Sequence, residues 1–221
     1  MDVYEAVESR RAIRAFSDEP VRKEILERVL TAAARAPSSG NLQPWHVYVV
    51  TGEPLAELKR RATARARAGD PGDEREYPMY PAELTSPYLD RFSAAAAQRY
   101  QTLGIARDDP DRPEKIAVLN SEAFGAPAVL FSYVDRTMGP GQWADAGMHL
   151  QTVMLLLRAE GVHSCPQVMW TMYRETVSRL VGADDGLVLV CGVAVGYEND
   201  GAPRLRTGRA DLTETVSFVG A

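Results

Sequence analysis

A chain of 221 residues with 45% apolar side chains is long enough to bury one substantial core and does not require a second domain. Its net charge of −5, from 30 acidic against 25 basic residues, disfavours a nucleic-acid partner. Two cysteines, Cys165 and Cys191, cannot build the disulfide framework of a small secreted protein, and no run of about 18 apolar residues is present to span a membrane.

The acidic start Met1-Asp2-Val3-Tyr4-Glu5 lacks the charged-then-apolar layout of a signal peptide, so the expected location is the cytoplasm. Residues 2–9 read as a short helix leading into Arg10, Arg11 and Arg14. A longer helix follows from about Arg22 to Arg35, where Ile25, Leu26, Val29, Leu30 and Ala33 recur at three- and four-residue intervals until Pro37 stops it. His46-Val47-Tyr48-Val49-Val50 has strand composition, and Pro54 opens a helix to about Ala68. Lys59, Arg60, Arg61, Arg65 and Arg67 on it read as a solvated helix face.

Residues 69–90 hold six prolines and tyrosines between Tyr77 and Pro81 and at Pro87-Tyr88, so regular structure throughout is ruled out. A connection of this length either covers a substrate mouth or is a solvent-facing loop. Helices are expected at about 90–103 and 113–124, then a buried strand at Pro127–Val134 and a long apolar helix from Gln142 to Glu160 that Gly161 ends. A helix at about 172–180 precedes the strand 187–196, and the tail from Tyr197 is polar. About four strands in unequal blocks of helices indicate an α+β fold. The Gly-x-Gly-x-x-Gly fingerprint of a dinucleotide fold is absent, as are Walker A and Gly-x-Ser-x-Gly sequences. His46, His149 and His163 lack metal-ligand spacing.

Two segments carry chemistry. In Ser9-Arg10-Arg11-Ala12-Ile13-Arg14, guanidinium groups suited to bidentate phosphate binding crowd one helix end, Arg10 and Arg14 sharing a face if the helix continues; the alternative is a surface cluster paired with Glu5, Glu8 and Asp18. In Pro37-Ser38-Ser39-Gly40-Asn41-Leu42-Gln43-Pro44-Trp45, Pro and Gly set a non-helical path while Ser, Asn and Gln offer polar groups.

Both segments resemble the N-terminal signature of the FMN-dependent nitroreductase family. The resemblance implies a nitroreductase-like fold: one FMN-binding domain over residues 1–221, with a small mixed or antiparallel sheet of about four or five strands wrapped by helices. It also implies an intertwined homodimer, within which the Pro- and Tyr-rich stretch at about 69–90 is read as a lid-like insertion. It assigns Arg10, Arg11, Ala12 and Arg14 to the ribityl phosphate and pyrimidine side of FMN, with Ala12 standing where serine is common. Pro37, Ser38, Ser39 and Asn41 match the turn against the isoalloxazine ring, and Gln142 is placed to reach it. Ser164, Cys165, Pro166 and Gln167 match a loop facing the flavin N5 edge, where a backbone N–H serves rather than a side chain. Arg206 and Arg209 match the closing phosphate clamp, although Arg204 replaces the usual asparagine.

The implied reaction is ping-pong. NADH or NADPH delivers hydride to the flavin, and a small aromatic or conjugated acceptor such as a nitroaromatic or quinone is then reduced, with no side chain required as a catalytic acid or base. Enone reduction, dehalogenation, peptide-modifying dehydrogenation and non-catalytic flavin binding remain alternatives on the same scaffold. No metal, nucleic-acid or membrane partner is expected.

Overall fold

A computed structural model describes residues 1–220. Four antiparallel strands, β1 (Trp45–Thr51), β2 (Ala128–Asp135), β3 (His163–Gln167) and β4 (Leu187–Gly196), form one sheet in the order β1-β2-β4-β3. The two central strands, β2 and β4, are apolar almost continuously because both faces are covered. Val129, Phe131 and Tyr133 point to one layer, with Leu55, Leu58 and Ala62 of α3 (Gly52–Arg67), Val177 of α7 (Arg174–Val181) and Trp170. Ala128 and Leu130 point to the other, with Ile25, Leu26 and Val29 of α2 (Lys23–Ala33) and Val153, Met154 and Leu157 of α6 (Pro140–Ala159).

The remaining helices are α1 (Val3–Ser9), α4 (Tyr88–Thr102), α5 (Arg112–Ser121) and a single turn, α8 (Leu212–Thr215), in the tail. The sheet is wholly antiparallel, and the helical expectations hold to within a few residues. Four local differences have physical reasons. Within the run expected as a loop, His163–Gln167 is a strand, short and interrupted by Pro166, and so without a legible alternation. The helix expected to reach Phe124 stops at Ser121, because Ala123 and Phe124 take left-handed backbone in a short 3₁₀ turn. Val168–Tyr173 is likewise 3₁₀ before α7 begins. Finally, α3 starts at Gly52 rather than Pro54, because Pro serves in the first turn where its missing N–H costs nothing.

The insertion is fastened at its beginning. Arg65 binds Asp70 at 2.7 Å and Asp73 at 2.8 Å, the Asp73 amide donates to the Met172 carbonyl at 2.7 Å, and the Glu175 amide donates to the Asp73 carboxylate at 2.8 Å. Gly72, at φ +92°, backs onto Met172 so closely that a Cβ would lie 2.7 Å from its carbonyl oxygen. The Tyr77 hydroxyl donates to the carbonyl of Val190. Val190 is the extra residue of a bulge, since Ser132 pairs with Cys191 and Tyr133 with Leu189. From Pro78 to Pro87 the chain is largely exposed, with Tyr80 meeting Phe92 of α4 edge to face.

Candidate functional site

A capping box between Asp2 and Glu5 starts α1, and the helix ends at Arg10, whose backbone turns extended at φ −66°, ψ 128°. Arg10 and Arg14 are therefore not brought together by a helix face. The following segment lies along the edge of β3, with a parallel bridge from Ala12 to Ser164 and a 3.1 Å bond from the Ile13 amide to the Ser164 carbonyl. A bridge from Phe16 to Glu198 then ties it to the start of the tail. Ile13, between the arginines, is 2% exposed and anchors the run in the core.

Arg10, Arg14, Arg206 and Arg209 converge on one cavity of about 440 Å³, together with Ala12, Gln151 of α6 and Val7 and Glu8 of α1. Among the described residues none of these four arginines forms an ion pair; the pairing with Glu5, Glu8 and Asp18 that a surface cluster would show is not made. Arg209 turns one nitrogen onto Thr207 Oγ1 at 2.8 Å and the nearby carbonyls, which fixes its fork at the cavity rim. Unneutralised guanidiniums from two ends of the chain around one hollow fit a phosphate monoester. Arg11 also reaches the cavity wall, but its guanidinium is taken by Glu198. Burial raises the Glu198 carboxyl, and the Arg11 hydrogen bonds and charge outweigh it, so the net displacement is downward.

The turn after α2 is built from left-handed backbone, Gly40 at φ 58°, Asn41 at 57° and Gln43 at 49°. Ser38 Oγ accepts from the Gln43 amide at 3.0 Å, and the Ser39 amide donates to Asp145 of α6 at 3.1 Å. Pro37, Ser39 and Asn41 stay exposed, with Ser38 half-buried. Trp45 is half-buried and stacks on His149 at 4.5 Å. Asp145 and Gln151 stand six residues apart on α6, an axial offset of about 9 Å. One helix thus touches the turn through Asp145 and the arginine cavity through Gln151, on faces about 120° apart.

The other expected contacts divide. Gln142 caps α6, its Oε1 accepting from the Gly139 amide at 3.3 Å. Gln167 is consumed in the core: its amide nitrogen donates to the Asn120 carbonyl at 2.9 Å, and its oxygen accepts from Trp170 Nε1 at 3.1 Å. Ser164 and Cys165 are each 2% exposed, and burial pushes the Cys165 thiol up to about 11, the state of an inert thiol. Pro166 is exposed but has no amide proton to donate. Sequence reasoning passed over Gln151 and Asp145. A carboxylate within the buried stripe Ala146, His149, Val153 was the available signal for the latter.

This chain belongs to the Nitroreductase family, whose model matches residues 7–197. It is 32% identical over 219 residues to the nitrobenzene nitroreductase of Ectopseudomonas oleovorans, covering 98% of this chain and 96% of that one. Among solved structures it is similar to the FMN and NADPH-dependent nitroreductase NfnB from Sphigopyxis sp. strain HMH, with a TM-score of 0.94 and 43% identity over all of both chains. NfnB from Mycobacterium smegmatis, solved in complex with NADPH, matches with a TM-score of 0.89 and 32% identity over 98% of this chain and 97% of that one.

Proposed function

We propose that the cavity ringed by Arg10, Arg14, Arg206 and Arg209 holds the phosphate of FMN and that the turn at 37–41 borders its ring. The chain is an FMN-dependent NAD(P)H oxidoreductase acting on nitroaromatics. The observation that carries the site reading is the convergence of four arginines from both ends of the sequence, none of them in an ion pair among the described residues. FMN held there would supply the two-electron redox chemistry that links the nicotinamide to the acceptor. The protein's own work is positional: arginines fix the anion, and left-handed backbone in the turn presents its polar groups to the ligand. NADPH is the proposed donor, because one NfnB relative is described as NADPH-dependent and the other was solved in complex with NADPH.

The working form we propose is a homodimer. Val3, Tyr4 and Val7 on α1 are 71%, 80% and 50% exposed, Val7 lines the cavity, and Met148 on α6 and Leu42 in the turn are further exposed apolar side chains. A second copy covering this face would close the cofactor site from the outside. We further place the enzyme in the cytoplasm, in keeping with two buried free thiols, and assign residues 78–87 as the lid proper.

The test is spectroscopic. Purified protein should show bound-flavin absorption, lose it anaerobically with NADPH and regain it on adding nitrobenzene, with quinones and enones compared in parallel. Protein that takes up no FMN, or whose flavin neither NADPH nor NADH reduces, overturns the proposal.

A further inference from the structure

Beside the arginine cavity lies a smaller hollow of about 40 Å³, and the two share Arg11, Ala12, Arg14 and Leu205 as a common wall. The end of α4 supplies Arg99, Thr102 and Leu103 to this second hollow. Nε of Arg99 is shut off from solvent without a hydrogen-bond partner, and among the described residues the side chain forms no ion pair. What it does meet is Tyr100: the guanidinium lies 5.1 Å from the ring centre, and one terminal nitrogen stands 3.5 Å from the hydroxyl. Arg112 lies over the same ring, also at 5.1 Å, and a ring face shared by two cations does not neutralise either.

A guanidinium is seldom drawn out of water without a counter-ion, because the charge loses hydration and gains nothing in exchange. The one carboxylate lining the smaller hollow, Glu198, is held by Arg11, with Arg204 3.9 Å away. The one carboxylate lining the larger cavity is Glu8. Against these two acids the adjoining hollows carry six arginines, Arg10, Arg11, Arg14, Arg99, Arg206 and Arg209. Arg99 belongs to the same field as the N-terminal arginines. Burial raises the Cys165 thiol most, and the charges of Arg14, Arg10 and Arg99 all act on it in the other direction. The chain therefore confines positive charge in excess of its own acids, and a phosphate monoester would bring about −1.5 to −2 at pH 7.

We propose that Arg99 is a charge-balancing residue of the cofactor's anion site: acting across Arg14 rather than by touching the ligand, it raises the positive potential of the arginine cavity, and the phosphate of FMN is the counter-charge it lacks within the chain. This rests on the FMN reading of that cavity. Two consequences separate the role from ordinary packing. The charge of Arg99 should matter to a ligand that carries the phosphate and not to one that lacks it. In the apoprotein, where positive charge is in excess, removing that charge should leave folding intact.

The experiment titrates FMN and riboflavin, by flavin fluorescence at about 0.05 M salt, into apoprotein of the wild type, Arg99→Gln, Arg99→Met, Arg99→Lys and Arg10→Ala. The unfolding midpoint of each apoprotein is recorded alongside. Arg99→Gln and Arg99→Met should weaken FMN about three- to tenfold and leave riboflavin within about twofold of wild type. Their apoprotein midpoints should equal that of wild type or exceed it, whereas a packing residue would lower the midpoint and weaken both flavins together. Arg99→Lys keeps the charge and should bind FMN within about twofold of wild type. Unaltered FMN affinity in the neutral variants, equal losses for FMN and riboflavin, or a loss in Arg99→Lys as large as in Arg99→Gln overturns the charge-balancing role. Failure of both neutral variants to fold overturns it too. Selective loss of FMN in Arg10→Ala would leave the site reading standing in each of those cases. Wild-type protein that binds no FMN, or binds riboflavin as tightly, overturns both.

Discussion

Both terminal nitrogens of Arg11 engage both carboxylate oxygens of Glu198, across 187 residues of sequence, in a pair whose side chains are 21% and 8% exposed. Arg11 is thereby spent on holding the N-terminal segment to the end of β4, while its neighbours Arg10 and Arg14 keep their charge for the cavity. The Glu198 amide is engaged as well, donating to His163 Nδ1 at 3.3 Å. Arg11→Ala should therefore act mainly on folding. Leaving Glu198 with only Arg204, 3.9 Å away, costs about 2 kcal/mol, below the range for fully buried pairs because the arginine is partly solvated. Urea denaturation should show that loss, whereas Arg10→Ala should alter stability by less than about 0.5 kcal/mol.

The same contrast reverses for cofactor binding. Arg10→Ala and Arg209→Ala each remove a charge-assisted contact and should weaken FMN about tenfold, measured by the recovery of free-flavin fluorescence. Because the cavity is open to water, wild-type affinity should also fall as salt is raised from about 0.05 to 0.5 M. Riboflavin, which lacks the phosphate, should bind weakly and with little response to salt or to either substitution. Equal affinity for riboflavin and FMN would contradict the assignment of the arginines.

Much of this was legible beforehand, for reasons that also mark where legibility stopped. Helical stripes such as Ile25, Leu26, Val29 and Ala33 and the apolar β2 and β4 runs announce themselves because burial on one or both faces dictates their period. β3 did not, since five residues with a proline and burial on both sides carry no period. The three N-terminal arginines are chemically alike, and what separates Arg11 from Arg10 and Arg14 is Glu198, a partner that no local pattern can supply. Gln167 looked like a polar loop residue because its partners Asn120 and Trp170 come from α5 and a 3₁₀ turn.

His149 gives the protein a specific acid response. It is 2% exposed, its Nδ1 has no hydrogen-bond partner among the described residues, and burial lowers its pKa from 6.5 to about 4. The folded state holds the ring neutral, while the unfolded chain takes up a proton near pH 6.5. Stability from this group is thus fully present above about pH 6.5 and is lost as pH falls towards 4. The midpoint of thermal unfolding should drop across that window in wild type. His149→Phe, which keeps a ring against Trp45, should flatten the slope; an unchanged slope would show that other groups dominate.

The anchoring of the insertion separates a fixed part from a free part. Asp73 has a side chain only 8% exposed and serves two donors at once, Arg65 at 2.8 Å and the Glu175 amide at 2.8 Å in the first turn of α7. An acceptor at that position also faces the positive end of the helix. Asp73→Ala should cost about 2 kcal/mol by leaving the Glu175 amide without its partner, while Arg65 keeps Asp70. Limited proteolysis should then cut within residues 70–77, a stretch protected in wild type by the Arg65, Met172 and Val190 contacts. Tyr80 is 50% exposed, past the last of these anchors, so Tyr80→Ala should leave both stability and the cleavage pattern of 70–77 unchanged. With residues 78–87 closing over the acceptor, Tyr80→Ala should at the same time raise KM for nitrobenzene with kcat for the NADPH half-reaction preserved. Such a split would assign lid function to the free part alone.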